Sequence, residues 1–195
     1  MSNFEFLLSL FGLLLGFTLV EVLSGLVRAT KTLRTPTGGP ATQVSVGWLT
    51  ALLALFVILD IASYWVNFWW IREQVPVGFD TVFGTLLIAA GYYFAASMIF
   101  PDDPQAWPRL DDWFWLHRRQ VLGPLFVINA AWVSVVAAIN PLTELLGWAV
   151  MQGVYFGLLG MAFFARKPAL VGGALGLISF LYLLQGAGEA ASRFG

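Results

Sequence analysis

Two carboxylic acids stand inside stretches of sequence that are otherwise apolar. Asp60 lies in Val57-Ile58-Leu59-Asp60-Ile61-Ala62-Ser63-Tyr64, and Glu21 lies in Phe17-Thr18-Leu19-Val20-Glu21-Val22-Leu23-Ser24. An ionisable group in hydrocarbon is costly, so it faces protein or water, and its usual work there is to hold an ion or a proton. No Lys or Arg falls deep enough in the sequence to neutralise Asp60. Its carboxyl must therefore be neutral, hydrogen-bonded or in contact with water, because desolvation penalises the charged form. Glu21 precedes Arg28 by about 10 Å of helix rise. Ser24 and Arg28 share its helix face, and Arg28 can snorkel toward it. For both acids there is a purely structural alternative, a hydrogen bond between helices worth roughly 1 kcal/mol or less.

Depth along upright helices suggests partners. Glu21 falls in one layer with Tyr93, Asn129 and Tyr155; Asp60 falls nearer the centre with Gln152, Ser179 and Tyr182. Asp80, Glu144 and Glu189 lie near the ends of apolar runs, where water reaches them. Other chemistry finds little footing. The chain has no cysteine and a single histidine, His117. One histidine supplies neither paired haem ligands nor a His-based zinc site. There is no Gly-x-Ser-x-Gly, His-Glu-x-x-His or P-loop pattern. Lys31 and Lys167 lie in loops, so a buried Schiff-base lysine is missing too. The sequence points to no catalytic residue, metal site or cofactor, and to a non-enzyme.

These acids must be positioned by membrane-spanning helices. Of the 195 residues, 59% are hydrophobic and 11% charged, against about 25% charged in a soluble domain. A spanning helix needs about 20 mainly apolar residues. Six runs qualify, at 4–27, 46–70, 77–100, 121–139, 142–165 and 169–187. The fold class is all-α: one polytopic membrane domain, a six-helix bundle with short loops. Pro36-Thr37-Gly38-Gly39-Pro40, Pro76, Pro101, Pro104, Pro108 and Pro168 punctuate the breaks. Asn140-Pro141 reads as the cap and first position of the fifth helix. Residues 101–120 form the one sizeable loop, read as an interfacial segment whose part from Leu110 is helical and leads into span four. Asp111 and Asp112 near its start and Arg118 and Arg119 further on suit the helix dipole. Met1 to Phe4 carries no basic residue, so the first run is expected to remain in the mature protein.

Eight of the ten Lys and Arg residues fall in or beside the odd-numbered connections; Arg72 and Arg193 fall on the other side. Positive charge is retained on the cytoplasmic side, so both termini are expected outside the cytoplasm of an inner-membrane protein. Most tryptophans sit near span borders, where the ring is apolar and its N–H stays wet. Net charge is −1, with no basic patch for nucleic acid. The expected partners are the bilayer and a second copy or another membrane protein. Gly12/Gly16, Gly153/Gly157 and Gly172/Gly176 mark close helix packing, read as packing within the chain. The leading functional reading is a small ion, proton or small-solute channel or transporter, with Asp60 as its site and Glu21 as a second. The alternative is a non-catalytic subunit or scaffold that binds lipid, pigment or partner proteins through its aromatic surface.

Because the chain lacks cysteine, single-cysteine variants report topology on a clean background. We expect Thr37→Cys to resist a membrane-impermeant maleimide added outside intact cells, and Gln74→Cys to react. Labelling at position 37 overturns the orientation.

Overall fold

The structure is a computed structural model that describes residues 3–34, 47–107, 109–140 and 146–194. Its six helices are α1 (Asn3–Arg34), α2 (Trp48–Trp70), α3 (Phe79–Ser97), α4 (Leu110–Ile139), α5 (Leu146–Phe164) and α6 (Pro168–Phe194). Each is long and apolar enough to cross a bilayer. The chain is therefore an all-α, multi-pass membrane protein. The shortest helices, α3 and α5, have 19 residues and rise about 28 Å, close to the thickness of the hydrocarbon core.

Several helix ends differ from the expected spans: α1 runs on to Arg34, α3 covers only Phe79–Ser97, and α6 runs on to Phe194. The fourth helix is continuous from Leu110 and carries Pro124 inside it. A 3-10 turn at Pro104–Ala106 precedes it, and the part of the interfacial segment from Leu110 forms one element with the span. The fifth helix is described from Leu146; residues 141–145, including Pro141 and Glu144, lie outside the described residues, and with them the expected start of the span at 142. Asn140 ends α4, with its side-chain amide donating to the Val136 carbonyl at 2.9 Å. The 35–46 connection, Pro108 and the side chains of Arg34, Glu189 and Arg193 also lie outside the description.

The helices form a ring in which α1 packs on α3, α3 on α4, α4 on α5, α5 on α6, α6 on α2 and α2 on α1. Helix α2 leans inward and also touches α3 and α4. Half of its most apolar stretch is buried, a larger share than in any other described span. Helix α1 shows how sequence sets this packing. Phe4, Leu8, Phe11, Leu15, Thr18, Val22, Gly25 and Ala29 are buried in alternating steps of four and three. That spacing keeps one seam facing its neighbours along the whole helix. The seam is bulky at its start, where Phe11 stacks on Trp65 and Phe4 on Phe68. It narrows to Gly25, where the Phe100 ring docks against the backbone.

In two of the three glycine pairs one member works the same way. A β-carbon at Gly12 would overlap the Trp65 ring, and one at Gly172 would overlap Trp48. Gly153 and Gly157 have open space beside them instead.

The starts of α2 and α4, the ends of α3 and α5 and the start of α6 gather at one end of the bundle. Trp113 Nε1 donates to the Met98 carbonyl at 3.0 Å, and Arg119 lies over Phe163. This end holds Arg28, Lys31, Arg109, Arg118, Arg119, Arg166 and Lys167, and is called the basic end. There Asp111 of α4 caps α2. Its Oδ1 accepts from the Thr50 backbone N–H at 3.3 Å, and the Thr50 hydroxyl donates to the Leu110 carbonyl at 3.0 Å. A carboxylate at a helix start satisfies a free N–H and complements the helix dipole. Gly47 leaves room for it, since a β-carbon there would coincide with the Asp111 carboxyl. The neighbouring acid, Asp112, pairs with Arg109 in the open. The two aspartates thus differ in role, although their shared place at a helix start gave them one reading.

We expect Asp111→Ala to lower stability by about 1 kcal/mol, as for a lost helix cap. Asp112→Ala breaks an exposed pair and should cost a few tenths of that or less. Thermal unfolding in one detergent compares them, and equal losses would dismiss the cap.

Candidate functional site

Asp60 lies near the middle of α2, on the stripe Leu53, Val57, Asp60, Tyr64, Phe68 that faces the bundle interior. Its residue exposure is 1%. Four side chains from four other helices converge on the carboxyl. The Tyr92 hydroxyl of α3 donates to Oδ2 at 2.8 Å. The Tyr155 hydroxyl of α5 donates to Oδ1 at 2.9 Å, and that of Tyr182 of α6 does so at 2.6 Å. Asn129 of α4 reaches both oxygens at 3.3 and 3.4 Å, while donating to its own Leu125 carbonyl at 2.9 Å. Five of the six helices are joined at one functional group. Among the described residues none of its partners is Lys, Arg or His.

Aromatic rings hold this arrangement. Tyr64, one turn beyond Asp60, packs edge-on against Tyr92 at 5.7 Å and against Trp132 at 5.3 Å. Tyr155 and Tyr182 meet at 6.2 Å. Four of the chain's five tyrosines therefore surround Asp60. Offset and edge-on contacts of this kind fix ring orientation and so aim the hydroxyls.

A cavity of about 640 Å³ reaches this cluster from the end opposite the basic one. It lies between α2 and α4 on one side and α5 and α6 on the other. Asn129, Tyr155 and Tyr182 form its floor, directly in front of Asp60. Trp132, Trp148, Met151 and Gln152 line it, as do Ile178, Leu181 and Leu184. Exposed Gly147 and Gln185 stand at its rim. Along one wall Asn67 donates to Ser63 Oγ at 3.2 Å, and Ser63 lines the cavity together with Tyr182. The Tyr182 hydroxyl, on the cavity floor, carries the hydrogen-bonded contact on to Asp60. Beyond Asp60, toward the basic end, the interior is mainly apolar. Leu53, Phe56, Val57, Leu122, Leu125 and Leu175 belong to one buried apolar cluster.

The residues grouped by depth are redistributed. Asn129 and Tyr155, assigned to the layer of Glu21, bond Asp60 instead. Tyr93, placed in that same layer, is 48% exposed and points away from the interior. Ser179 is buried near Asp60's depth, but its hydroxyl has no hydrogen-bond partner. Gln152 lines the cavity, and Tyr182 bonds Asp60. Glu21 stands apart, on the flank of the α1 seam, with Arg28 Nη2 donating to it at 3.4 Å. Tyr92 was missed. Its signal is rotational: Ala89, Tyr92, Ala95 and Ala96 form the small-residue stripe of α3, which excludes Tyr93.

His117 stacks on Trp113 at 3.6 Å, with its Nδ1 within 3.2 Å of the Trp113 carbonyl. Among the described residues no three His, Asp or Glu side chains come together as a metal site would require. The chemistry on offer at Asp60 is that of one carboxyl group, which accepts a proton or balances a cation. No protein-family model, curated protein or solved structure matches the chain.

Tyr92→Phe keeps the ring and removes one donor from a buried carboxyl, so we expect a loss of about 1–2 kcal/mol in unfolding. Tyr93→Phe should change stability by less than about 0.5 kcal/mol. Equal effects would show that Tyr92 does not bond Asp60.

Proposed function

We propose that this protein is a small-solute carrier of the inner membrane, with Asp60 as its proton or cation site. The observation that supports it is the cavity whose floor is made by three of the four groups bonded to a mid-membrane carboxyl. By the distribution of Lys and Arg, the basic end is cytoplasmic and the cavity opens outward. The apolar cluster between Asp60 and the basic end closes the opposite path. A site open to one side and sealed from the other is what alternating access requires; a pore would need a passage through both halves. Tyr155 and Tyr182 supply hydroxyls through which a proton passes between the cavity and Asp60. A charge on Asp60 in this region calls for a balancing ion, and a proton or a cation from the cavity serves.

The rival reading, a non-catalytic subunit or scaffold, draws support from the same network, because it ties five helices together. Membrane partners or a second copy would then cover its aromatic faces. The two readings separate at Asp60→Asn, which keeps the shape and removes the titratable proton.

In proteoliposomes with a pH-sensitive dye inside, we expect the native protein to move protons or cations along an imposed gradient. Asp60→Asn should fold, run as the native protein on gel filtration, and lose that flux by about a hundredfold or more, the low end for removing a proton-transfer group. Equal flux in both proteins eliminates the carrier role for Asp60. Asp60→Leu should loosen the bundle under either reading.

A further inference from the structure

We propose that the cavity takes a protonated organic amine with an apolar or aromatic body; this rests on the carrier reading and names its substrate class. The first reason is the direction of the hydrogen bonds on the floor. Tyr155 and Tyr182 spend their only hydroxyl protons on Asp60, and the Asn129 amide is spent on Asp60 and the Leu125 carbonyl. A phenol that donates keeps oxygen lone pairs, and a carboxamide whose NH2 is used keeps its carbonyl oxygen. The floor therefore offers a ligand acceptors and no free donors. An ammonium group supplies the N–H donors that this floor needs, whereas a carboxylate or phosphate would find donors only on the walls, at Gln152 and the two indole N–H groups, and none at the end nearest Asp60.

The second reason is charge. Among the described residues the lining contains no Lys, Arg or His, while the Asp60 carboxyl lies one hydroxyl behind the wall, 2.6 Å from Tyr182 Oη. A cation seated on the Tyr155 and Tyr182 oxygens stands in the field of that carboxyl with no competing positive charge. The third reason is the walls. Trp132 and Trp148 present indole rings, the aromatic side chain that attracts cations best. Ile178, Leu181 and Leu184 form an apolar strip on α6 that suits a hydrocarbon body. At about 640 Å³ the space falls within the range of small-ligand sites.

The test uses the full chain in zwitterionic nanodiscs at pH 7, with empty nanodiscs subtracted to remove partitioning into lipid. Titration calorimetry compares phenethylammonium, 2-phenylethanol and 3-phenylpropionate, which share a phenyl body and differ in charge. We expect phenethylammonium to bind at least about tenfold more tightly than the alcohol, and the carboxylate not to bind. Asp60→Asn should abolish the advantage of the ammonium while leaving the alcohol's affinity unchanged. Gly147→Trp fills the rim, where a β-carbon meets nothing within 4 Å, and should block binding. Alcohol or carboxylate binding as well as the ammonium overturns the substrate class. So does an ammonium preference that survives Asp60→Asn, or a panel in which nothing binds. If the alcohol binds equally well and Gly147→Trp blocks it, the cavity remains a solute site and the amine alone is dismissed. The carrier reading stands or falls separately, on the Asp60→Asn flux.

Discussion

A carboxyl group in the middle of a bilayer has to be satisfied by its own protein, and this bundle is arranged around that requirement. Water is absent from hydrocarbon, and an unbonded polar group there costs several kcal/mol. Asp60 cannot reach the membrane border, because it stands about 15 Å of helix rise from the end of α2. Its donors must therefore come from neighbouring helices, and α3, α4, α5 and α6 each send one. This is why α2, although second in the chain, leans into the ring and touches helices that are not its sequence neighbours.

Glu21 shows the contrast. It is also an acid within an apolar helix, but two turns of α1 bring Arg28 to it, and both side chains remain partly exposed. A group that finds its counter-charge on its own helix places no demand on the fold. The α1 seam passes beside Glu21, through Thr18 and Val22, and the helix packs without it. Two acids that look alike in a hydropathy plot thus differ in consequence. One can be answered locally and the other cannot.

Much of this was legible in the sequence because bilayer thickness and charge placement act on whole segments. Six runs and their alternating basic ends follow from length and Lys/Arg position, and Asp60 follows from the cost of burying charge. What depth could not supply was rotation. Tyr92 and Tyr93 differ by 1.5 Å in rise but by about 100° around the helix, and the structure uses the first while exposing the second. The small-residue stripe of α3 carried the missing information. Tyr155 was misassigned for another reason: a side chain as long as tyrosine's reaches across a layer, so the height of a backbone is not the height of its functional group. The 30-residue length of α4 was hidden by its charged, tryptophan-rich start, which reads as a border segment although the helix is unbroken.

The network also bears on why an acid is kept here at all. A buried polar cluster can often be replaced by well-packed apolar residues without loss of stability. Joining helices would need one donor, and a leucine in place of Asp60 could be packed with phenylalanines in place of the tyrosines. The sequence instead commits three hydroxyls and a carboxamide to one group, then leaves the far side of three of them open to a cavity. A purely structural knot gains nothing from that opening, since a dry site strengthens hydrogen bonds. The asymmetry between a sealed apolar half and a polar half that leads to the carboxyl is the feature that packing alone does not require, and it is the reason the carrier reading is preferred over the scaffold.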